Sequence, residues 1–479
     1  MKLQLFPKQT LAFTSLATEI LYGGAAGGGK SHLMRVAAIS WCVDIPGLNV
    51  YIFRRQHGDL FKNHMEGPSG FMALLGAWVE AGYVKINLSD NQIRFWNGSV
   101  IHLCHCQHEK DMIKYQGSEI HVLMIDELTH FTDKIYRFLR NRVRLAGLDV
   151  PQKYKGVFPR ILCGSNPGGV GHTWVKATFI DPFKELEVNR VEDEEGGMLR
   201  QYIPAKMSDN PRLAIDDPDY EKRLKGLGDP ALVKAMKDGD WNIALGAFFA
   251  DVWKPGRIVL PWFKIPPTWR VDRSFDWGSS RPSATIWWAE TDGTSVDVPG
   301  QGQFTFPRGS LIAIAEDYTW NGKPNEGLRL HSHELAKRIK EAEAKLSLPQ
   351  RISPGPADNA INDVRDGKSI ASEMELSGVS WTKSDKSPGS RINGWDLMRK
   401  KLKNAAPTDD EGNPLPVEEP GLWVMDNCRH LIRTLPAIPA DDKKPDDIDT
   451  DAEDHLADAA RYRVTAPTNQ VTTKKLGGT

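Results

Sequence analysis

Short apolar runs alternate, along the first half of the chain, with stretches whose apolar residues recur at helical spacing. Runs at 19–22 and 49–53 flank a helical stretch at 30–41, and apolar runs at 121–125 and 160–164 end in polar or glycine-rich tips. This rhythm predicts a mostly parallel sheet with helices on its faces, whose carboxyl edge collects the ligand-binding residues. An irregular stretch at 208–218 precedes a helix expected over 220–236, which ends near the GDW at 239–241. A second pattern begins near residue 270: SFDWGSS, the strand-like SATIWWAE, a strand at 311–316 and a helix at 331–345. Adjacent strands before a helix indicate a different, mixed sheet. Stretches 407–420 and 436–454 read as polar loops, a helix over 451–464 closes the pattern, and the last residues are polar. The expected organisation is a first α/β domain at 1–242, a linker at 243–265, a second mixed α/β domain at 266–465 and a disordered tail at 466–479.

Composition narrows the class. Of 479 residues, 40% are hydrophobic and 26% charged, with 61 Lys plus Arg against 62 Asp plus Glu, the proportions of a folded soluble protein. A net charge of -1 removes the strongly basic signature of many nucleic-acid binders but leaves room for a local basic groove. No apolar window reaches the roughly 18 residues of a membrane span, and the N-terminus lacks a signal-peptide pattern, so an untargeted intracellular protein is expected. The five cysteines, at 42, 104, 106, 163 and 428, suit reduced thiols rather than a disulfide framework.

The strongest local motif is LYGGAAGGGKSH, which fits G-x-x-x-x-G-K-[ST] between a strand and a helix. Glycines Gly24, Gly27, Gly28 and Gly29 let backbone N–H groups approach phosphates, Lys30 reaches the terminal phosphates, and Ser31 ligates magnesium. A nucleotide hydrolase also needs a metal carboxylate and a group that orients water. In HVLMIDE, Asp126 suits the metal and Glu127 the water. Ser165 and Asn166, ending the 160–164 strand, can sense the γ-phosphate, and Gln9 can read adenine through its amide. The ligands expected here are ATP and Mg2+. Arginine-finger candidates are Arg54, Arg55, Arg140, Arg142 and Arg144. His102, Cys104, Cys106 and His108 alternate at spacing two, which on a strand separates neighbours by about 6.6 Å, too far for four ligands around one zinc.

In the second pattern, Asp276 ends a strand, Asp358 sits in GPADNAI, and Asp458 lies on the last helix. Carboxylates converging from separate elements can hold two Mg2+ or Mn2+ ions about 4 Å apart for phosphodiester cleavage. Asp454 shares a helix face with Asp458, and His455 and Glu316 are further candidates. The basic stretch from Lys383 to Lys403, with Lys386, Arg391 and Arg399, suits a DNA backbone.

The order YGGAAGGGKS, KYQGSEIHVLMIDELTHF, CGSNPGG, GDW, FDWGSS and HLADAARYR resembles the large terminase subunit of tailed double-stranded DNA phages, from about Phe6 to Arg463. The resemblance implies an N-terminal P-loop ATPase of the ASCE type that drives DNA into a procapsid and a C-terminal RNase H-like endonuclease that cuts concatemers. Lys30, Ser31, Asp126, Glu127, Asp276 and Asp458 fall on matching motif positions, and Asp358 is carried over at a longer spacing. Where some members carry an arginine before a glycine, this chain has Lys114, Tyr115, Gln116 and Gly117, so the finger is not carried over. The implied partners are double-stranded DNA, the portal ring, a small terminase subunit and further copies of the chain in a docked ring, with a monomer in isolation. The implied location is the host cytoplasm, transiently at the portal vertex, and not the mature virion. Two other readings remain open at this point: a P-loop helicase or remodeller whose second domain binds DNA, and a non-catalytic nucleotide-binding adaptor.

Overall fold

The computed structural model describes residues 3–226, 230–242, 244, 246–364, 367–409, 411–441 and 443–466. Residues 467–479 of the expected tail lie outside the described residues. The chain divides into two compact units, Met1–Gly246 and Ala247–Thr479.

Both units are α/β. In the first, the strands are β1 (Glu19–Gly24), β2 (Asn49–Arg54), β3 (Val84–Asn87), β4 (Gln92–Phe95), β5 (Val100–His105), β6 (Val122–Asp126), β7 (Arg160–Ser165), β8 (Val188–Arg190) and β9 (Leu199–Ala205). They form a nine-stranded sheet in the order β3-β4-β5-β2-β6-β7-β1-β9-β8. The run from β5 to β9 is parallel, and antiparallel partners finish both edges. The buried faces of β1, β6 and β7 explain their uninterrupted apolar character, because a parallel sheet is covered on both sides. This order sets the carboxyl ends of β2, β6, β7 and β1 side by side, about 4.8 Å apart per strand. Helix α1 (Pro7–Thr14) precedes β1, and α2 (Lys30–Asp44) follows it.

The second unit holds β10 (Val259–Leu260), β11 (Arg270–Asp276), β12 (Ala284–Glu290), the hairpin β13 (Ser295–Val298) and β14 (Gly302–Thr305), β15 (Leu311–Tyr318), β16 (Ile352–Ser353), β17 (Pro356–Ala357), β18 (Thr382–Lys383) and β19 (Leu422–Met425). Its main sheet runs β10-β19-β15-β12-β11-β17-β18, with β16 also on β11. Strand β12 is antiparallel to both of its neighbours, β11 and β15, whereas β19 and β17 run parallel to their neighbours β15 and β11. This is the mixed sheet expected from the pattern. The helices used below are α3 (Ser332–Leu346), α4 (Ser390–Ala405) and α5 (His455–Thr465). Among the described residues no helix is long and apolar enough to cross a membrane.

Three differences from the sequence reading have physical causes. The helix expected at 220–236 is two helices, Tyr220–Lys225 and Pro230–Asp238, because a proline lacks the N–H of a helix interior and suits a first turn. Strand β9 carries Arg200, Gln201 and Pro204 and so lacks strand-like patterning, yet it pairs with β1 along its length, one strand in from the β8 edge. The stretch read as a linker at 243–265, of which 243 and 245 lie outside the described residues, supplies Phe248, Phe249, Trp253, Ile258 and Phe263 to the core of the second unit.

Candidate functional site

The first site is built on the carboxyl edge of the parallel sheet. After β1 the chain turns through the glycine-rich loop into α2. Gly29 has φ 76°, and a Cβ there would stand 2.4 Å from Gln9 Nε2, so the position requires glycine. Gln9, on α1, is buried: its Oε1 accepts from Phe6 N at 2.8 Å and its Nε2 donates to Gly29 O at 2.9 Å. Its amide therefore braces the loop. Asn210 Nδ2 donates to Gly27 O at 2.7 Å, and Tyr22 Oη donates to Gly28 O at 3.1 Å. Gly239 packs on Gly24, where a Cβ would approach Gly24 C to 2.5 Å. The GDW segment thus touches the phosphate loop.

Lys30 Nζ donates to Asn166 Oδ1 at 2.5 Å and to Ala25 O at 3.0 Å. Burial lowers its pKa, and the nearby carboxylates of Glu127 and Asp126 oppose that shift. Asp126, at the end of β6, is 0% exposed. Its Oδ2 accepts from Ser31 Oγ at 3.2 Å and from His64 Nε2 at 3.0 Å, and it faces Arg54 Nε at 3.1 Å. Burial alone would raise its pKa, but the hydrogen bond and charge of His64 and the charges of Arg54 and Lys30 hold it well below the usual carboxylate range. Oδ1 is buried without a hydrogen-bond partner. An orphaned carboxylate oxygen beside a serine hydroxyl is a donor set that fits a magnesium ion or its water.

Glu127 follows in a left-handed conformation, φ 56° and ψ 62°, which disfavours a non-glycine residue and is the kind of strain found at functional sites. The turn after it is tied to β7: Ser165 Oγ accepts from Thr129 N at 3.0 Å, and Thr129 Oγ1 donates to Asn166 O at 3.1 Å. Lys30, Asn166, Thr129 and Glu127 therefore form one connected set.

The arginines separate clearly. Arg54, at the tip of β2, faces Asp126 and stands 3.8 Å from Glu127. Arg55 donates to His130 O at 3.3 Å. Arg140 is spent on Glu19 at 3.3 Å, which Arg200 also binds at 2.6 Å. Arg142 donates to Gln116 O at 3.0 Å, and the backbone N–H of Arg144 is bonded to Ile120 O at 2.9 Å. Of the five, Arg54 reaches the acidic pair within its own chain.

The second site lies in the other unit. Asp276, Asp358, Asp454 and Asp458 line one cavity of about 530 Å³, together with Lys386, Arg391, His455, Arg461 and Tyr462. Strand order explains the convergence: β11 ends in Asp276, its parallel neighbour β17 leads directly into Asp358, and α5 packs on β11 carrying Asp458. Asp276 accepts from His455 Nδ1 at 3.1 Å and from Tyr462 Oη at 3.3 Å. Asp358 pairs with Lys386 at 3.1 Å, and Asp458 pairs with Arg461 at 2.8 Å and Arg391 at 3.3 Å. Burial, with the charges of Asp458 and Asp358, pushes Asp276 up to about 6 against the hydrogen bond from His455. Burial, with Asp458 and Asp276, pushes Asp454 up to about 7. Four crowded carboxylates are a donor set suited to divalent cations. As they stand, however, Lys386 pairs with Asp358, and Arg391 and Arg461 pair with Asp458, and among the described residues no three His, Cys, Asp or Glu side chains are grouped closely enough to hold an ion.

Other expected residues go elsewhere. Glu316 caps the helix Arg429–Thr434, accepting from His430 N at 2.6 Å and Leu431 N at 2.9 Å, and does not line the cavity. Of the basic stretch, Lys386 and Arg391 face the acids, whereas Arg399 binds Asp251 and Phe248 O. His102 and Cys104 lie within strand β5. Sequence reasoning missed His64, Asn210 and Tyr462 as neighbours of the sites. Tyr462 lies one helical turn beyond Asp458, a spacing that would have found it; His64 and Asn210 carry no local signal.

Residues 21–145 match the family model of the N-terminal region of the large terminase subunit, T4-like-virus type. The chain is similar in structure to the large terminase of a thermophilic bacteriophage in complex with ADP, with 16% identity, TM-score 0.40 and coverage of 96% of this chain and 98% of that one. It is similar to the large terminase of bacteriophage HK97 at 11% identity and TM-score 0.44, covering 97% and 95%. Its similarity to the P22 large terminase nuclease domain has 14% identity and TM-score 0.31, covering 46% of this chain and 92% of that one. Among curated proteins, no sequence matches the chain. The family match covers the phosphate loop and the acidic pair, the first two motifs of an order that resembled this family from about Phe6 to Arg463.

Proposed function

We infer that the chain is the motor subunit of a phage DNA-packaging machine, coupling ATP hydrolysis to DNA translocation into a procapsid and cutting concatemeric DNA. The observation that carries this reading is the coexistence, in separate units of one chain, of a phosphate loop beside Asp126 and Glu127 and a cavity walled by Asp276, Asp358, Asp454 and Asp458. In the first unit the loop amides and Lys30 hold the phosphates of ATP, Ser31 and Asp126 hold Mg2+, and Glu127 orients the attacking water. Asn166 exchanges its contact with Lys30 when nucleotide binds. Its links through Thr129 then carry the state of the γ-phosphate toward the turn after β6.

In the second unit Asp276, Asp358 and Asp458 are the residues that would hold two Mg2+ or Mn2+ ions, with Asp454 close by. Such ions, when bound, activate water and stabilise the leaving oxygen of a phosphodiester. Lys386 and Arg391 then turn from the carboxylates toward the DNA backbone, which positions a duplex without reading its bases. The partners on this reading are double-stranded DNA, a portal ring, a small terminase subunit and further copies of the chain, and the place of action is the host cytoplasm at the portal vertex.

The test uses the full chain. DNA-stimulated ATP turnover should be lost in Lys30→Ala, and plasmid cleavage with Mn2+ should be lost in Asp276→Asn with ATP turnover retained. ATP turnover without cleavage under any metal condition would favour the helicase-like reading.

A further inference from the structure

His64 lies outside every motif, yet it makes one of the closest contacts to Asp126. The segment after β2 turns back through His57–Leu60 into the π-helical turn Phe61–Met65. Single π turns are uncommon and often mark functional positions. There His64 is 0% exposed, and its Nε2–H donates to Asp126 Oδ2 at 3.0 Å. An ionised carboxylate only accepts, so the proton on this contact is the imidazole's.

The turn is itself braced from the phosphate-loop helix. Arg35 stands one helical turn beyond Ser31 on α2, on the same face. Its guanidinium donates to Asn63 O at 2.6 Å and to Ser69 Oγ at 3.3 Å. Ser31 touches the carboxylate directly, and Arg35 holds the peptide next to His64. The His64 ring also packs on Phe71, with centroids 6.4 Å apart and planes 26° apart. One helix therefore fixes Asp126 twice: through its own serine and through a braced histidine.

Without His64, Oδ2 would keep the Ser31 hydroxyl and the Arg54 guanidinium. Arg54 also reaches Glu127 and is anchored on the exposed 54–59 turn, where its NH1 donates to Asp59 O at 3.4 Å. A carboxylate left to the Ser31 hydroxyl and that cation keeps more freedom to rotate about its own side chain. His64 removes this freedom from inside the core.

We propose that His64 is a positioning residue for the magnesium shell of the nucleotide site, locking the Asp126 carboxylate beside Ser31 by donating its Nε2–H to Oδ2. The assignment rests on the reading of this site as one for Mg-ATP. Groups that orient metal ligands change metal affinity or activity by about 10–100-fold when removed, whereas a histidine that merely fills space changes packing alone.

The experiment compares wild type, His64→Phe, His64→Gln and Lys30→Ala as full chains. His64→Phe keeps a buried ring and loses the donor; His64→Gln keeps an N–H donor of similar reach. A fluorescent ATP analogue is titrated with Mg2+ and with EDTA, and thermal unfolding is recorded for each variant. In His64→Phe the gain in affinity conferred by Mg2+ should fall by about 10-fold or more, with affinity in EDTA unchanged within about 2-fold. In His64→Gln the Mg2+ gain should stay within about 3-fold of wild type. ATP turnover should follow the same order, with the Mg2+ concentration for half-maximal rate raised in His64→Phe. The proposal is overturned if His64→Phe keeps the wild-type Mg2+ gain. It is equally overturned if His64→Phe and His64→Gln lose affinity alike in Mg2+ and in EDTA with a shared fall in melting temperature, which is the signature of packing. If Lys30→Ala binds the analogue as wild type does, the Mg-ATP reading falls and takes the assignment with it.

Discussion

Arg463→Met tests whether a buried charge holds the second site together. Arg463, on α5, is 2% exposed and donates Nε to Asp272 Oδ1 at 2.6 Å and NH2 to Glu290 Oε2 at 2.6 Å. Asp272, on β11, is 1% exposed. Burial raises its pKa, and the Arg463 charge and hydrogen bond oppose the rise. The pair thus fastens the helix that carries Asp458 to the strand that ends in Asp276. Removing one partner of a buried pair costs about 3–5 kcal/mol, because the other charge stays buried. The low end, about 3 kcal/mol, is expected here, since Arg270 stands 3.3 Å from Asp272 and Glu290 is partly exposed. Asp272→Leu combined with Arg463→Met should recover about half of the loss, since an apolar pair of similar volume is often neutral. The sign with pH follows from the raised pKa. A carboxyl raised in the folded state stabilises below its unfolded value, and that contribution is lost as pH rises. Without Arg463 the rise is larger, so the deficit should be greatest near pH 8 and shrink on acidification toward pH 5. Urea unfolding followed by tryptophan fluorescence reads this directly, because most of the tryptophans lie in the second unit. A loss below about 1 kcal/mol at pH 8, or a deficit that grows on acidification, would refute the reasoning.

Further outcomes follow from the two sites. Glu127→Gln should bind nucleotide and block turnover, measured as phosphate release against analogue binding; a wild-type rate would show that another group orients water. Glu127→Gly should also be inactive but no less stable than wild type, because glycine relieves the φ of 56°, a strain of about 1–3 kcal/mol; thermal unfolding checks this. Asp276→Asn should abolish Mn2+-dependent plasmid cleavage and leave ATP turnover within about 2-fold, since the carboxylates and the phosphate loop lie in different units. Cleavage at limiting Mn2+ should fall as pH drops through 7 to 6, where Asp454 and Asp276 take up protons and protons compete with metal; the same acidification should stabilise the metal-free protein, because both folded-state values are raised. A cleavage rate flat between pH 8 and 6 would count against these two carboxylates as metal neighbours.

The parallel core of the first unit was legible because its signals are local. Apolar runs ending in glycines or acids mark β1, β6 and β7, and the loop motif states its own chemistry. Strand β9 was not legible, for a reason seen at Arg200: its charge is neutralised by Glu19 on β1, 181 residues away, and no sequence window contains both. The same non-locality hides His64, whose partner Asp126 lies 62 residues on. The stretch 243–265 misled through its loop-like spacing, although Phe248, Phe249 and Trp253 are large apolar residues that a solvated linker would not carry. In the second unit Asp276, Asp358 and Asp458 could be read as converging, and they line one cavity, but the sequence left open whether Glu316, Asp454 or His455 joins them. Glu316 sits on β15 with its carboxylate turned to the amides of His430 and Leu431, a choice of strand face that alternation alone does not settle.

The protein's own charges stand in both sites where ligands are expected, and their exposure orders how the sites open. In the first unit Lys30 bonds Asn166 Oδ1 and Ala25 O, and phosphate oxygens can take the place of these acceptors around its ammonium. In the second unit the cations differ sharply. Lys386, on Asp358, has a side chain 45% exposed, so releasing it leaves an ammonium that water can solvate. Arg461, on Asp458, is 3% exposed, and freeing it would strand a guanidinium in the core. Arg391, which bridges Asp458 and Asp447, lies between these limits at 31%. Asp358 is therefore the carboxylate most readily surrendered to a metal, and Asp458 the one most firmly held by protein. On the proposed reading a cation entering the cavity would meet Asp276 and Asp358 first, and Asp458 would join only as Arg391 swings away, the motion that would also offer its guanidinium to a phosphate. On this argument metal and DNA backbone favour one another's binding, because each accepts a partner that the other releases.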